Sequence, residues 1–132
     1  MQEVVGQDLL NAVSGQVVDA ALKVHRALGP GLLESAYEAC LVHEMVKRGL
    51  KVRRQVNLPV EYDGVKLDAG YRIDVLVEEA VIVEIKAVDA LQPVHKAQLL
   101  SYLKLSKKKL GLLLNFNVAL MKDGIKRVAN GL

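Results

Sequence analysis

Residues 81–88 read VIVEIKAV, a strand apolar on both sides and interrupted only by Glu84 and Lys86. A strand with no polar side is normally buried on both faces, which calls for a sheet covered on each side by other elements. Side chains alternate along a strand, so Glu84 and Lys86 point to one face and Val83 and Ile85 to the other. Buried carboxylates and ammoniums are costly unless paired, neutralised or bound to a metal. The face carrying Glu84 and Lys86 therefore has to meet a partner for both charges.

A second strand is expected at residues 71–77, YRIDVLV, with Asp74 at its centre. The short polar link Glu78-Glu79-Ala80 joins the two as a hairpin. A loop at 78–80 sets Leu76 opposite Ile82, Asp74 opposite Glu84 and Arg72 opposite Lys86, all on one face. Two facing carboxylates repel, and a divalent cation between them reverses that sign. Hard oxygen donors from one or two carboxylates are what magnesium prefers. The plainer alternatives are an edge strand with solvated charges for Glu84 and Lys86, and an ion pair to Arg72 or Lys86 for Asp74. The convergence of three such residues on one apolar sheet favours a site.

The remaining elements follow from periodicity and breakers. A helix is expected at 7–28, ended by Gly29-Pro30-Gly31, and a second at about 31–48, ended by Gly49. Strands at 51–57 and 59–62, a turn at Asp63-Gly64 and a strand at 65–77, broken near Gly70, make an antiparallel meander. Pro93 opens a helix at about 92–106, followed by strands at 110–116 and about 124–129. The strands at 81–88 and 110–116 should run parallel through a right-handed crossover. The result is one α/β (α+β) domain spanning 1–132.

At 52% hydrophobic residues the chain has enough apolar matter for a core, which excludes disorder. Net charge is +3, compatible with a polyanion but not diagnostic. Basic residues cluster at Arg53-Arg54, Lys104–Lys109 and Lys122–Arg127. The single cysteine, Cys40, excludes an intrachain disulfide, and its apolar-spaced helical position suggests a buried, inert thiol. No run reaches the roughly 18 apolar residues of a membrane span. The first residues lack signal-peptide character, so a cytoplasmic protein is expected. Ser35, Ser101 and Ser106 lack nucleophile-elbow spacing. His25, His43 and His95 lack zinc spacing. Gly29-Pro30-Gly31 lacks the lysine of a phosphate loop, and no aromatic platform for single strands is visible.

Asp74 followed by Glu84-x-Lys86, on two adjacent antiparallel strands with a helix after them, resembles the core of the PD-(D/E)xK nucleases, with Ile73 where their proline is expected. Gln98 and Tyr102, four apart and on one helix face, with His95 a turn earlier, are similar to the Gln-xxx-Tyr element of the RecB-like branch. Gly31-Leu32-Leu33-Glu34-Ser35-Ala36-Tyr37 resembles the signature of the GxxExxY family. The words HRALGPG at 25–31, QPVHKAQ at 92–98 and LGLLLNF at 110–116 also look like that family, over about residues 8 to 130.

The resemblance implies a restriction-endonuclease-like core: a mixed β-sheet flanked by helices on both faces. It implies Mg2+ or Mn2+ held by Asp74, Glu84 and the Ile85 carbonyl, with Glu34 as the first-helix acid facing the metal directly or through water. Glu34 has a second reading as a capping-box glutamate if Gly31 is the N-cap. Lys86 would position or help deprotonate the attacking water, or stabilise the phosphorane. Gln98 would orient water or phosphate, and Tyr102 would support the site. The implied substrate is nucleic acid, DNA ahead of RNA, with a homodimer or protein partner adding surface. The alternatives are a non-catalytic nucleic-acid- or protein-binding member, or a subunit of a larger assembly.

Overall fold

A computed structural model describes residues 6–132; the reading of residues 1–5 as free of signal-peptide character lies outside them. The chain forms α1 (Gln7–Leu28), α2 (Glu34–Lys47), β1 (Val52–Asn57), β2 (Val60–Tyr62), β3 (Val65–Leu67), β4 (Arg72–Val77), β5 (Val81–Lys86), α3 (Pro93–Ser106), β6 (Leu110–Asn115), a 3-10 turn (Met121–Gly124) and β7 (Ile125–Ala129).

The main sheet has the order β1-β4-β5-β6-β7. β5 lies at its centre and pairs in parallel with β6, while the other neighbours are antiparallel. This is why residues 81–85 tolerate no polar side except at Glu84: all five are buried. One core lies between the sheet and α1 with α2, where Val17, Ala21, Tyr37, Leu41 and Met45 meet Val75, Val83, Ile85, Leu112 and Leu114. The other lies under α3, where Leu99, Tyr102 and Leu103 meet Leu76, Ile82, Leu113 and Val128. Helices thus cover both faces, as a restriction-endonuclease-like core requires.

Three details differ from the sequence reading. The meander is interrupted: β1 pairs with β4, and β2–β3 forms a separate two-stranded hairpin. Pro59 has no amide hydrogen to continue a ladder, and β3 is wholly exposed, so the hairpin has no apolar face to bury in the main sheet. The second helix begins at Glu34 rather than Gly31, with Leu33 as its N-cap and no side-chain cap hydrogen bond. Glu34 is therefore the first helical residue and makes no capping box; the box in this chain is Gln92 with His95, whose Nδ1 accepts from the Gln92 amide at 2.9 Å. Cys40 is exposed, because the buried stripe of α2 is Tyr37, Leu41 and Met45, and Cys40 falls beside it.

Glycines at two contacts show how tightly β6 is held. A Cβ at Gly111 would meet the branched end of Leu99 at 2.8 Å, which a flexible side chain can partly yield. A Cβ at Gly124 would overlap the Asn115 backbone carbonyl, which cannot yield. Gly124→Ala is accordingly expected to lower the melting temperature by roughly 5–10 °C, and Gly111→Ala by less; thermal melts followed by circular dichroism measure both.

Candidate active site

The β4–β5 hairpin sets the register of the site. Glu78 and Glu79 both adopt left-handed φ of 53°, and the Ala80 amide donates to the Val77 carbonyl at 3.0 Å. This turn pairs Val77 with Val81, Leu76 with Ile82 and Val75 with Val83, the register expected from a loop at 78–80. Ladder pairing then stops where Asp74 and Glu84 would face each other. Their side chains replace the ladder: the Asp74 amide donates to Glu84 Oε2 at 2.8 Å, and the Ile85 amide donates to Asp74 Oδ2 at 2.9 Å. Each carboxylate thus holds the other's strand, and Arg72, which pairs with Asn57 on the β1 side, has no ladder partner on β5.

A kink explains why the strands part here. Val75 and Val77 pack in the core beneath α1 and α2, whereas Ile73 packs beneath α3 with Leu76. Strict alternation would put residues 73, 75 and 77 on one face, so β4 changes face at Asp74. On the neighbouring strand, Val52 packs against the first core and Val56 against the second, so β1 changes face across the same level. There Gln55 has a left-handed φ of 50°, uncommon for a residue other than glycine. Both strands bend together, and Asp74 projects at the bend.

Burial makes the pair electrostatically unstable as two anions. Loss of water pushes Glu84 up to about 8, with the Asp74 charge adding to the rise and the Asp74 amide and Lys86 opposing it. Asp74 is also raised, first by burial, against the hydrogen bond from Ile85. Lys86 is half-buried at the end of β5, near enough for its charge to favour ionisation of both acids. Its strand end is clamped: the Phe116 amide donates to the Lys86 carbonyl at 2.9 Å, and buried Asn115 exchanges two hydrogen bonds with the Val88 backbone.

From α3, Gln98 Nε2 donates to the Tyr102 hydroxyl at 3.0 Å, so the two share a face. The Tyr102 phenol is pushed up by burial and then by the Glu84 and Asp74 charges, which places it within their field. Glu34 is exposed in the first turn of α2, and its charge reaches Asp74. The rest of its sequence word is structural. Gly31 has φ 98°. The Tyr37 hydroxyl donates to the Gly29 carbonyl at 2.6 Å and accepts from the Leu32 amide at 3.1 Å, while its ring stacks on Phe116 at 4.6 Å. His25 donates from Nε2 to the Val118 carbonyl at 2.8 Å and is a packed core residue.

One residue escaped sequence reasoning. Glu38, one turn after Glu34, is 7% exposed. It accepts from Arg54 at 2.8 and 3.0 Å and from Gln55 Nε2 at 3.0 Å, and its charge acts on both Asp74 and Glu84. Glu38 therefore ties the kinked residue Gln55 to α2. The same bonds pair Arg54 with α2, and Glu79 pairs with Arg53 at 2.6 and 2.8 Å; both arginines remain at the surface. Exposed pairs such as Arg53–Glu79 contribute about 0–1 kcal/mol; truncating a partner of a buried carboxylate costs several times more.

Among the described residues no three His, Cys, Asp or Glu side chains gather into a metal-holding group. The donor set is instead two carboxylates, each engaging one oxygen with a backbone amide and leaving the other for a ligand. That fits a magnesium-like ion, which is held by one or two carboxylates and keeps several waters. A cation is also what removes the mutual repulsion of two desolvated acids.

A model of the PD-(D/E)XK nuclease superfamily matches residues 11–128. No curated protein and no solved structure matches the chain. The matched span runs from the second turn of α1 into β7 and includes every residue of the site, and the chain belongs to the PD-(D/E)XK nuclease superfamily.

Proposed function

We propose that this chain is a divalent-metal-dependent nuclease of the GxxExxY type within the RecB-like branch, hydrolysing phosphodiester bonds of nucleic acid, with DNA as its first substrate. The observation that carries the reading is the interlocked pair Asp74 and Glu84 at the point where β4 and β5 part. Asp74, Glu84 and the Ile85 carbonyl would hold Mg2+ or Mn2+, with Glu34 acting through water. Such an ion polarises the scissile phosphate and lowers the pKa of a bound water.

The chain's own residues supply the rest. Lys86 brings a positive charge to the attacking water and to the phosphorane formed from it. Gln98, oriented by its bond to Tyr102, offers its amide to water or a phosphate oxygen. The clamp of Asn115 on Val88 keeps the Lys86 end of β5 in place. A cytoplasmic location belongs to the same proposal; among the described residues no helix is long and apolar enough to cross a membrane.

The test is cleavage of labelled single-stranded, double-stranded and branched DNA, and of RNA, in Mg2+ and in Mn2+, by the parent and by Lys86→Ala. Metal-dependent cleavage reduced roughly 100-fold or more in the variant is expected. A folded parent that cuts none of these substrates would shift the reading to a binding protein or the subunit of an assembly.

A further inference from the structure

Between α3 and the β2–β3 hairpin lies a groove of about 640 Å³, with Tyr71, Tyr102, Gln98, Val60 and Leu105 on its walls and Lys104 at its side. We propose that this groove seats one unpaired nucleobase of the substrate strand against Tyr71, next to the phosphate handled by Asp74, Glu84 and Lys86, so that the protein grips single-stranded or frayed nucleic acid. The inference rests on the nuclease reading and adds a substrate class to it.

Three observations support the occupant. The groove adjoins the acidic pair through Tyr102, which lines it, bonds to Gln98 and lies within the field of Glu84 and Asp74. Tyr71 stands three residues before Asp74 in the chain, about 10 Å along an extended backbone, within reach of a short stretch of nucleotide backbone. Its walls are aromatic and apolar, and Lys104 is the one charged group among the described lining residues, which suits a base attached to a phosphate chain.

The two tyrosines also differ in a telling way. Tyr102 is 6% exposed and bonded to Gln98, whereas Tyr71 is 43% exposed. Their rings are tilted by 58° with centroids 5.9 Å apart, so Tyr102 backs Tyr71 without covering it. The Tyr71 backbone is fixed by its carbonyl, which accepts from the Leu58 amide at 2.9 Å. An aromatic ring with an open surface on an anchored backbone suits base stacking, and stacking on one aromatic side chain changes affinity roughly tenfold or more whatever the base. Bases inside a duplex are already stacked, and extruding one has its own cost.

The experiment is fluorescence anisotropy of the full chain with labelled single-stranded and duplex oligonucleotides in EDTA, where no cleavage occurs. It compares the parent, Tyr71→Ala and Tyr71→Phe, and adds strands carrying an abasic site at successive positions. Tyr71→Ala should weaken single-strand binding about tenfold and leave duplex binding unchanged, and Tyr71→Phe should restore it. An abasic site at one position should weaken the parent but not Tyr71→Ala. Equal losses on both substrates, no loss, or a Tyr71→Ala protein that merely changes from dimer to monomer in sedimentation would overturn the inference. Cleavage in Mn2+ is read separately. Tyr71-dependent binding without any cleavage sinks the nuclease reading alone, and cleavage with Tyr71-independent binding sinks the base seat alone.

Discussion

Asp74→Asn is expected to reduce metal-dependent cleavage by roughly 10³-fold or more while leaving the fold intact. The substitution keeps size and shape, and the asparagine carbonyl can still accept the Ile85 amide that now donates to Asp74 Oδ2 at 2.9 Å. What disappears is one of the two negative charges that would hold the cation. The loss should appear in the cleavage rate at saturating substrate, and raising Mn2+ should recover only part of it. A variant that retains activity within tenfold of the parent would mean that the reaction centre lies elsewhere. A variant that fails to fold would be recognised by its circular dichroism and would leave Lys86→Ala as the informative protein.

The second large effect concerns stability. In the folded metal-free chain Glu84 is raised from 4.5 to about 8, chiefly by burial. Below about pH 4.5 folded and unfolded chains both hold that proton, and the group does not bias folding. Between about pH 4.5 and 8 the folded state keeps a proton that the unfolded state has lost, so stability falls as pH rises. Above about 8 the penalty is complete, on the order of 2–4 kcal/mol once relaxation around a 5% exposed side chain is allowed for. Glu84→Gln removes the charge and retains an oxygen for the Asp74 amide.

Glu84→Gln is therefore expected to be more stable than the parent at pH 9 in EDTA, by several degrees in melting temperature, and nearly equal to it at pH 5. Adding Mg2+ at pH 9 should raise the parent's melting temperature and leave the variant's almost unchanged, since a ligand stabilises only the state that binds it. Equal melting curves for the two proteins at pH 9 in EDTA would show that Glu84 is ionised without cost.

Much of this site was legible because it is local. The short polar link 78–80 determined which residues of β4 and β5 face each other, and the observed pairing of Val75 with Val83 follows from it. The apolar runs at 81–85 and 110–114 announced strands buried on both faces, and Pro93 marked the start of α3.

What escaped was set by contacts between distant parts of the chain. Glu38 looks like an ordinary polar residue of a helix until Arg54 and Gln55 are brought beside it. The bend at Gln55 carries no glycine to advertise a left-handed residue. Tyr71 and Tyr102 are remote in sequence and meet only when α3 settles over the sheet. α2 starts at Glu34 instead of near residue 31 because Gly31, with its positive φ, belongs to the turn that Tyr37 clasps.

The most direct test of the account is a Mn2+ titration of the parent, Asp74→Asn and Glu84→Gln at pH 7.5, followed by the electron paramagnetic resonance of free Mn2+. Saturable binding by the parent that weakens at least tenfold in each variant is expected. Binding of equal strength in all three folded proteins, or none in the parent, would contradict the claim that Asp74 and Glu84 form a metal-dependent reaction centre.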